Sequence, residues 1–70
     1  MLDLERLWAA IPVGEENADG ASEIWRRYDL GARATIHQNL NRLTAEGRIK
    51  RISRPMPRGG EVHLYYRVPE

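Results

Sequence analysis

The side chains best suited to chemistry cluster in one stretch, where Arg33, Thr35, His37, Gln38, Asn41 and Arg42 offer guanidinium, hydroxyl, imidazole and amide groups. Gln and Asn can each pair with adenine through one donor and one acceptor, and Arg can do the same with guanine or grip a phosphate. This inventory suits the reading of base edges. It does not suit bond making: His37 and His63 are the only histidines and there is no cysteine. Arg58-Gly59-Gly60 lies between two expected strands rather than ahead of a helix, so it is not a phosphate-binding loop. Adjacent carboxylates at Glu15 and Glu16 diverge in a loop and have no apolar pocket to shift their ionisation. The expectation is therefore a protein that is not an enzyme and needs neither cofactor nor metal.

The elements that must position those groups follow from periodicity. Ile36, Leu40 and Leu43 form a narrow apolar stripe in an otherwise polar segment, which predicts a third helix over about residues 32 to 46. On a helical wheel Ala34, Gln38, Asn41 and Ala45 lie opposite the stripe, with Thr35, His37 and Arg42 on its flanks. Gln and Asn add little helix stability compared with Ala, Glu or Lys, so their presence on this face favours a recognition role over incidental surface. Gly47 stands where a left-handed cap ends the helix. Leu4, Leu7, Trp8 and Ile11 predict a first helix over about residues 2 to 11, ended by Pro12. A polar connection from Val13 to Gly20 leads to a second helix over about residues 21 to 29, with Ile24, Trp25 and Tyr28 as its apolar positions. Ser22, Asn17 or Asp19 could cap its start.

After the third helix, Ile49 to Arg54 reads as a strand and Pro55 to Gly60 as a turn. Glu61 to Val68 alternates, which predicts a second strand with Val62, Leu64, Tyr66 and Val68 inward and His63, Tyr65 and Arg67 outward. On that parity Tyr65 is free to stack or to meet a partner, whereas Trp8, Trp25 and Tyr28 pack between the first two helices. Arg54 and Arg58 mark the hairpin tip, from which an Arg can reach a phosphate or a narrow minor groove.

Charge is sorted along the chain although the net value is only +1. Residues 1 to 31 carry seven acids and three bases, and residues 32 to 70 carry eight bases and three acids, so the balance passes from −4 to +5. The second half is the expected polyanion face. With 70 residues the chain makes one domain with a modest core. Absence of cysteine rules out disulfides and a Cys-based zinc site, which leaves a homodimer as the natural source of extra stability. No leader or membrane-spanning apolar run is visible, so a cytoplasmic location is expected.

Three helices followed by a hairpin with a basic tip make an α+β fold that resembles the winged helix-turn-helix family. The local resemblance is to bacterial transcriptional regulators of the GntR and MarR kind. Arg27-Tyr28-Asp29-Leu30 stands for their Arg-Tyr-Gly-Val helix end, and Arg33-Ala34-Thr35-Ile36 for the Ser-Arg-x-Thr-Val start of the recognition helix. Leu40-Asn41-Arg42-Leu43 and Glu46-Gly47-Arg48-Ile49 stand for the Leu-x-x-Leu and Gly-x-Ile that follow. The resemblance spans about residues 21 to 68. It implies that Arg33, Thr35, His37 and Gln38 meet double-stranded DNA, and that a wing carrying Lys50, Arg54, Arg58 and Gly59 touches the flanking backbone or minor groove. Two departures bear on register: the turn is one residue longer, through Gly31-Ala32, and the capping Ser is missing, so that Gly31 or Asp29 takes its place. The implied role is a small transcriptional regulator such as a phage or bacterial repressor, with no small-molecule effector, or a fragment of something larger. The competing expectation is a winged helix that binds protein, whose sign would be an exposed apolar patch.

Overall fold

The computed structural model describes residues 2–29 and 31–69. Met1, Glu70 and Leu30, the last of which belongs to the Arg-Tyr-Asp-Leu run, lie outside them. The order is helix α1 (Leu4–Ala10), a 3-10 turn (Glu15–Asn17), strand β1 (Asp19–Gly20), helix α2 (Ala21–Tyr28), helix α3 (Arg33–Ala45), and strands β2 (Lys50–Pro55) and β3 (Glu61–Tyr66). The class is α+β, with three α-helices and a three-stranded antiparallel sheet in the order β1-β3-β2. The hairpin was expected to be two-stranded. The added strand sits in what sequence reads as a plain connection, and only its pairing of Asp19 with Tyr65 and Gly20 with Leu64 makes it a strand.

Each helix is bounded by identifiable chemistry. The Asp3 carboxylate accepts the Arg6 backbone N–H at 3.2 Å and caps α1. At α2 the N-cap is Gly20, without a side-chain bond, and none of the three expected caps serves. Ser22 lies within the helix and its hydroxyl accepts from Arg33, Asp19 pairs with Arg27, and Asn17 donates to the Val13 carbonyl. Asp29 ends α2 in the left-handed region at φ 60°. For α3 the N-cap is Ala32, again without a side-chain bond, so neither Gly31 nor Asp29 caps it and Arg33 is the first helical residue. Its far end is a Schellman motif, in which Arg48 N–H reaches the Leu43 carbonyl and Gly47 N–H the Thr44 carbonyl, both at 3.0 Å, with Gly47 at φ 75°.

One apolar cluster holds the elements together. It contains Leu7, Ala10 and Ile11, Ile24 and Tyr28, the α3 stripe Ile36, Leu40 and Leu43, and then Ile49 and Tyr65. Leu2, Trp8, Ala21 and Trp25 are half-buried against it. Leu4, expected on the inner stripe of α1, is 41% exposed.

The strand parity of β3 is the reverse of the expectation. Tyr65 is buried in the core, whereas Val62, Leu64 and Tyr66 are only half-buried and Val68 is exposed. Ile49 and Arg51 share the inward parity, and Arg51 pairs with Tyr65. Alternation separates two faces of a strand without saying which one meets the helices. Here β3 is the central strand, and the phenol of Tyr65 fills the space above α3. Beyond it Arg67, expected outside, is half-buried: its N–H reaches the Pro12 carbonyl at 2.7 Å and its Nε the Ile11 carbonyl at 2.9 Å.

Candidate functional site

Because the stripe Ile36, Leu40 and Leu43 is drawn into the core, helical geometry turns the remaining positions of α3 to solvent. Arg33, Thr35, His37, Gln38, Asn41 and Arg42 are all exposed. The hairpin places Lys50, Arg54, Arg58 and Gly59 on an exposed surface as well. Its tip is closed by bonds from Met56 N–H to the Gly60 carbonyl and from Gly59 N–H to the Met56 carbonyl, at 3.1 and 3.0 Å. Gly59 and Gly60 both take positive φ there, a conformation that glycine adopts without a Cβ clash.

An open cleft of about 970 Å³ runs between the first half of α3, the start of α2 and β3. It brings Arg33, His37 and Gln38 together with His63 and Tyr65. Thr35, Asn41 and Arg42 lie outside its lining, as do the wing residues Lys50, Arg54, Arg58 and Gly59. Val62 and Leu64 line it too, so residues of both faces of β3 border the cleft; His63 is exposed there, as expected, whereas Tyr65 is buried. Glu23 and Glu61 also line it, so a polyanion would meet two carboxylates as well as the Arg33 guanidinium.

The exposed groups differ in how firmly they are held. Arg33 donates to the Ser22 hydroxyl and lies 5.8 Å from the Trp25 ring centroid, which braces it against α2. Arg42 pairs with Glu46 at 3.2 Å, one turn further along the helix, an exposed contact of small energetic weight. Asn39 donates to the Thr35 carbonyl at 2.8 Å and is turned along the helix rather than outward. Asn41 is fixed from the sheet side, accepting the Tyr65 hydroxyl at 3.3 Å and an Arg51 N–H at 3.5 Å. Arg51, one of the eight bases of the second half, lies outside the residues that sequence assigns to the site. The signal that places it there is its parity with the buried Ile49.

The charge sorting survives folding in a specific way. Arg26 and Arg27, in the acidic first half, are matched by Glu23 and Asp19. Arg48 and Arg67 stand 5.2 and 5.5 Å from the Trp8 ring centroid. Among the described residues, Lys50, Arg51, Arg54 and Arg58 have no ion-pair partner. These four bases lie on the hairpin, where Arg51 shares the inward parity of Tyr65 toward α3, whereas Lys50 and Arg54, paired with Tyr66 and Val62, share the opposite face of the sheet.

Among the described residues no group of three His, Asp or Glu is arranged to hold a metal ion. No helix among them is long and apolar enough to cross a membrane. Comparison with protein-family models, with curated proteins and with solved structures finds no match to this chain.

Proposed function

We propose that this chain is a winged helix-turn-helix that binds double-stranded DNA and acts as a small transcriptional regulator. In this reading α3 enters the major groove, the hairpin tip rests on the flanking backbone or minor groove, and the acidic first half, apart from Glu23 on the cleft wall, faces away. The observation that carries it is the pairing of an amide- and guanidinium-bearing α3 face with a neighbouring hairpin whose bases lack acidic partners. The short β1 is compatible with a wing: it pairs with β3 at residues 64 and 65 and leaves the tip free. Gln38 is the central base reader, Arg33, Thr35, His37 and Arg42 flank it, and Lys50, Arg54, Arg58 and Gly59 meet phosphate or minor groove. A homodimer on a two-fold site would supply the affinity that one module lacks.

Titration of a labelled random duplex over a range of salt concentrations tests this reading. Affinity that falls steeply and linearly on a log–log salt plot supports it, and no binding at low salt would remove it.

One observation favours a second reading, a module that binds protein. Ile52, Val62, Leu64 and Tyr66 share the sheet face opposite that of Tyr65, interleaved with Lys50 and Arg54, and Met56 just past β2 is 49% exposed. Such a patch is what a protein partner or a second copy would cover. Salt-indifferent binding to duplex, with association seen only between proteins, would favour it.

A further inference from the structure

Asn41 lies on the exposed face of α3, yet its side chain is not free to choose its orientation. Its carboxamide oxygen accepts the Tyr65 hydroxyl at 3.3 Å and Nη1 of Arg51 at 3.5 Å. A guanidinium has donors only, so the amide edge turned toward Arg51 must be Oδ1. The Nδ2 group is consequently on the opposite edge, with both N–H bonds directed away from these partners. Tyr65 is 1% exposed and belongs to the core cluster, so the hydroxyl that orients Asn41 is itself held by packing.

This arrangement removes the bidentate pairing with adenine expected from sequence. That pairing needs Oδ1 to accept from adenine N6 while Nδ2 donates to N7, and Oδ1 is already engaged. What remains are the two N–H donors of Nδ2, beside the unused N–H donors of Arg51. Guanine presents two acceptors, N7 and O6, in the major groove, whereas adenine presents one acceptor and one donor that would meet these N–H groups head-on.

We propose, resting on the duplex-binding reading above, that Tyr65 and Arg51 hold Asn41 as a donor-only reader that selects guanine over adenine one helical turn beyond Gln38. Tyr65 is a positioning residue: it is buried, touches no DNA, and acts through the orientation of the Asn41 amide.

Selection of bound sites from a random duplex pool, followed by affinity measurement on the enriched site and its single guanine-to-adenine change, tests the assignment. The wild-type protein should favour guanine by about tenfold at one position, and Asn41→Ala should abolish the preference there alone. Tyr65→Phe keeps the ring and removes the hydroxyl. It should cut the ratio to about twofold while leaving the affinity for unrelated duplex and its salt slope unchanged. In the free protein the same variant should shift the Asn41 side-chain amide signals in a proton–nitrogen NMR correlation spectrum. An adenine at the Asn41-dependent position, or a guanine preference untouched by Tyr65→Phe, would overturn the donor-only assignment with DNA binding intact. Unchanged Asn41 amide signals in the free Tyr65→Phe protein would overturn it as well. Loss of all salt-dependent duplex binding in the wild type would instead remove the DNA reading and this assignment with it.

Discussion

The hydroxyl oxygen of Tyr28 accepts the backbone N–H of Asp3 at 2.7 Å, so the last residue of α2 holds the first turn of α1. Arg6 completes the contact: its Nε donates to the Tyr28 carbonyl at 2.9 Å, and its guanidinium lies 5.8 Å from the ring centroid. One side chain thus joins two helices through its ring, its hydroxyl and its backbone. Tyr28→Phe keeps the ring and should cost about 1 kcal/mol in urea unfolding. Tyr28→Ala should cost about 3 to 5 kcal/mol, enough to threaten a domain of this size. Equal losses for the two variants would mean that the ring contributes little and the hydrogen bond nearly everything.

Gly47 supports a prediction about backbone rather than contacts. It sits at φ 75°, and a Cβ built there would meet nothing within 4 Å. Gly47→Ala should therefore destabilise by about 1 to 2 kcal/mol through the left-handed conformation alone. Gly47→Asn should lose less, since Asn tolerates that region better than Ala. Thermal melts of the two variants give the comparison, and an Asn variant less stable than the Ala variant would count against a purely conformational cost.

How much of this was legible in the sequence depends on the kind of signal. The α3 stripe Ile36, Leu40 and Leu43 and the Gly47 stop are local, repeated every turn, and both the helix and its buried face appear where they are read. The strand β1 is not local: Asp19 and Gly20 carry no pattern of their own and become a strand only against Tyr65 and Leu64. Tyr65 shows a different limit. Its neighbours Leu64 and Tyr66 are as apolar as any core pair, and the alternation is equally regular whichever face is inward. Burial was decided by the order β1-β3-β2 and by the fit of a phenol over α3, neither of which the β3 sequence contains. For the candidate site, exposure of Thr35, His37, Gln38, Asn41 and Arg42 followed from the wheel, whereas Arg33, at the helix start, depended on where the longer turn set the register. The bracing of Arg33 by Ser22 and of Asn41 by Tyr65 and Arg51 depends on tertiary contacts and was invisible.

For Gln38, exposed on the cleft wall, the duplex reading predicts a change in preference. Gln38→Ala should cost about 1 to 3 kcal/mol at one base position and leave stability within about 0.5 kcal/mol of wild type. Competition binding with single-base variants of the enriched site reads this directly. Equal loss on every sequence would contradict a base-reading role.

Arg58, at the exposed hairpin tip, should behave in the opposite way. Arg58→Ala is expected to weaken binding to all duplexes by a similar factor and to lower the salt slope by about one unit. A sequence-selective loss would move Arg58 from the backbone to a base edge.

The bond from Arg67 Nε to the Ile11 carbonyl spans 56 positions of the chain, and Gly14 N–H reaches the Arg67 carbonyl at 2.9 Å beside it. In kinetic terms this makes the seam between residues 11–14 and 67 one of the widest loops that folding has to close. The β2–β3 hairpin and the α2–α3 pair, being local, can form before it, whereas the seam gains its hydrogen bonds only after most of the closure entropy has been spent. A cut or a sequence insertion at the hairpin tip leaves that seam's two sides connected through the core. A change at Arg67 unfastens the end of β3 from α1 and should appear as faster unfolding, with the folding rate nearly unchanged.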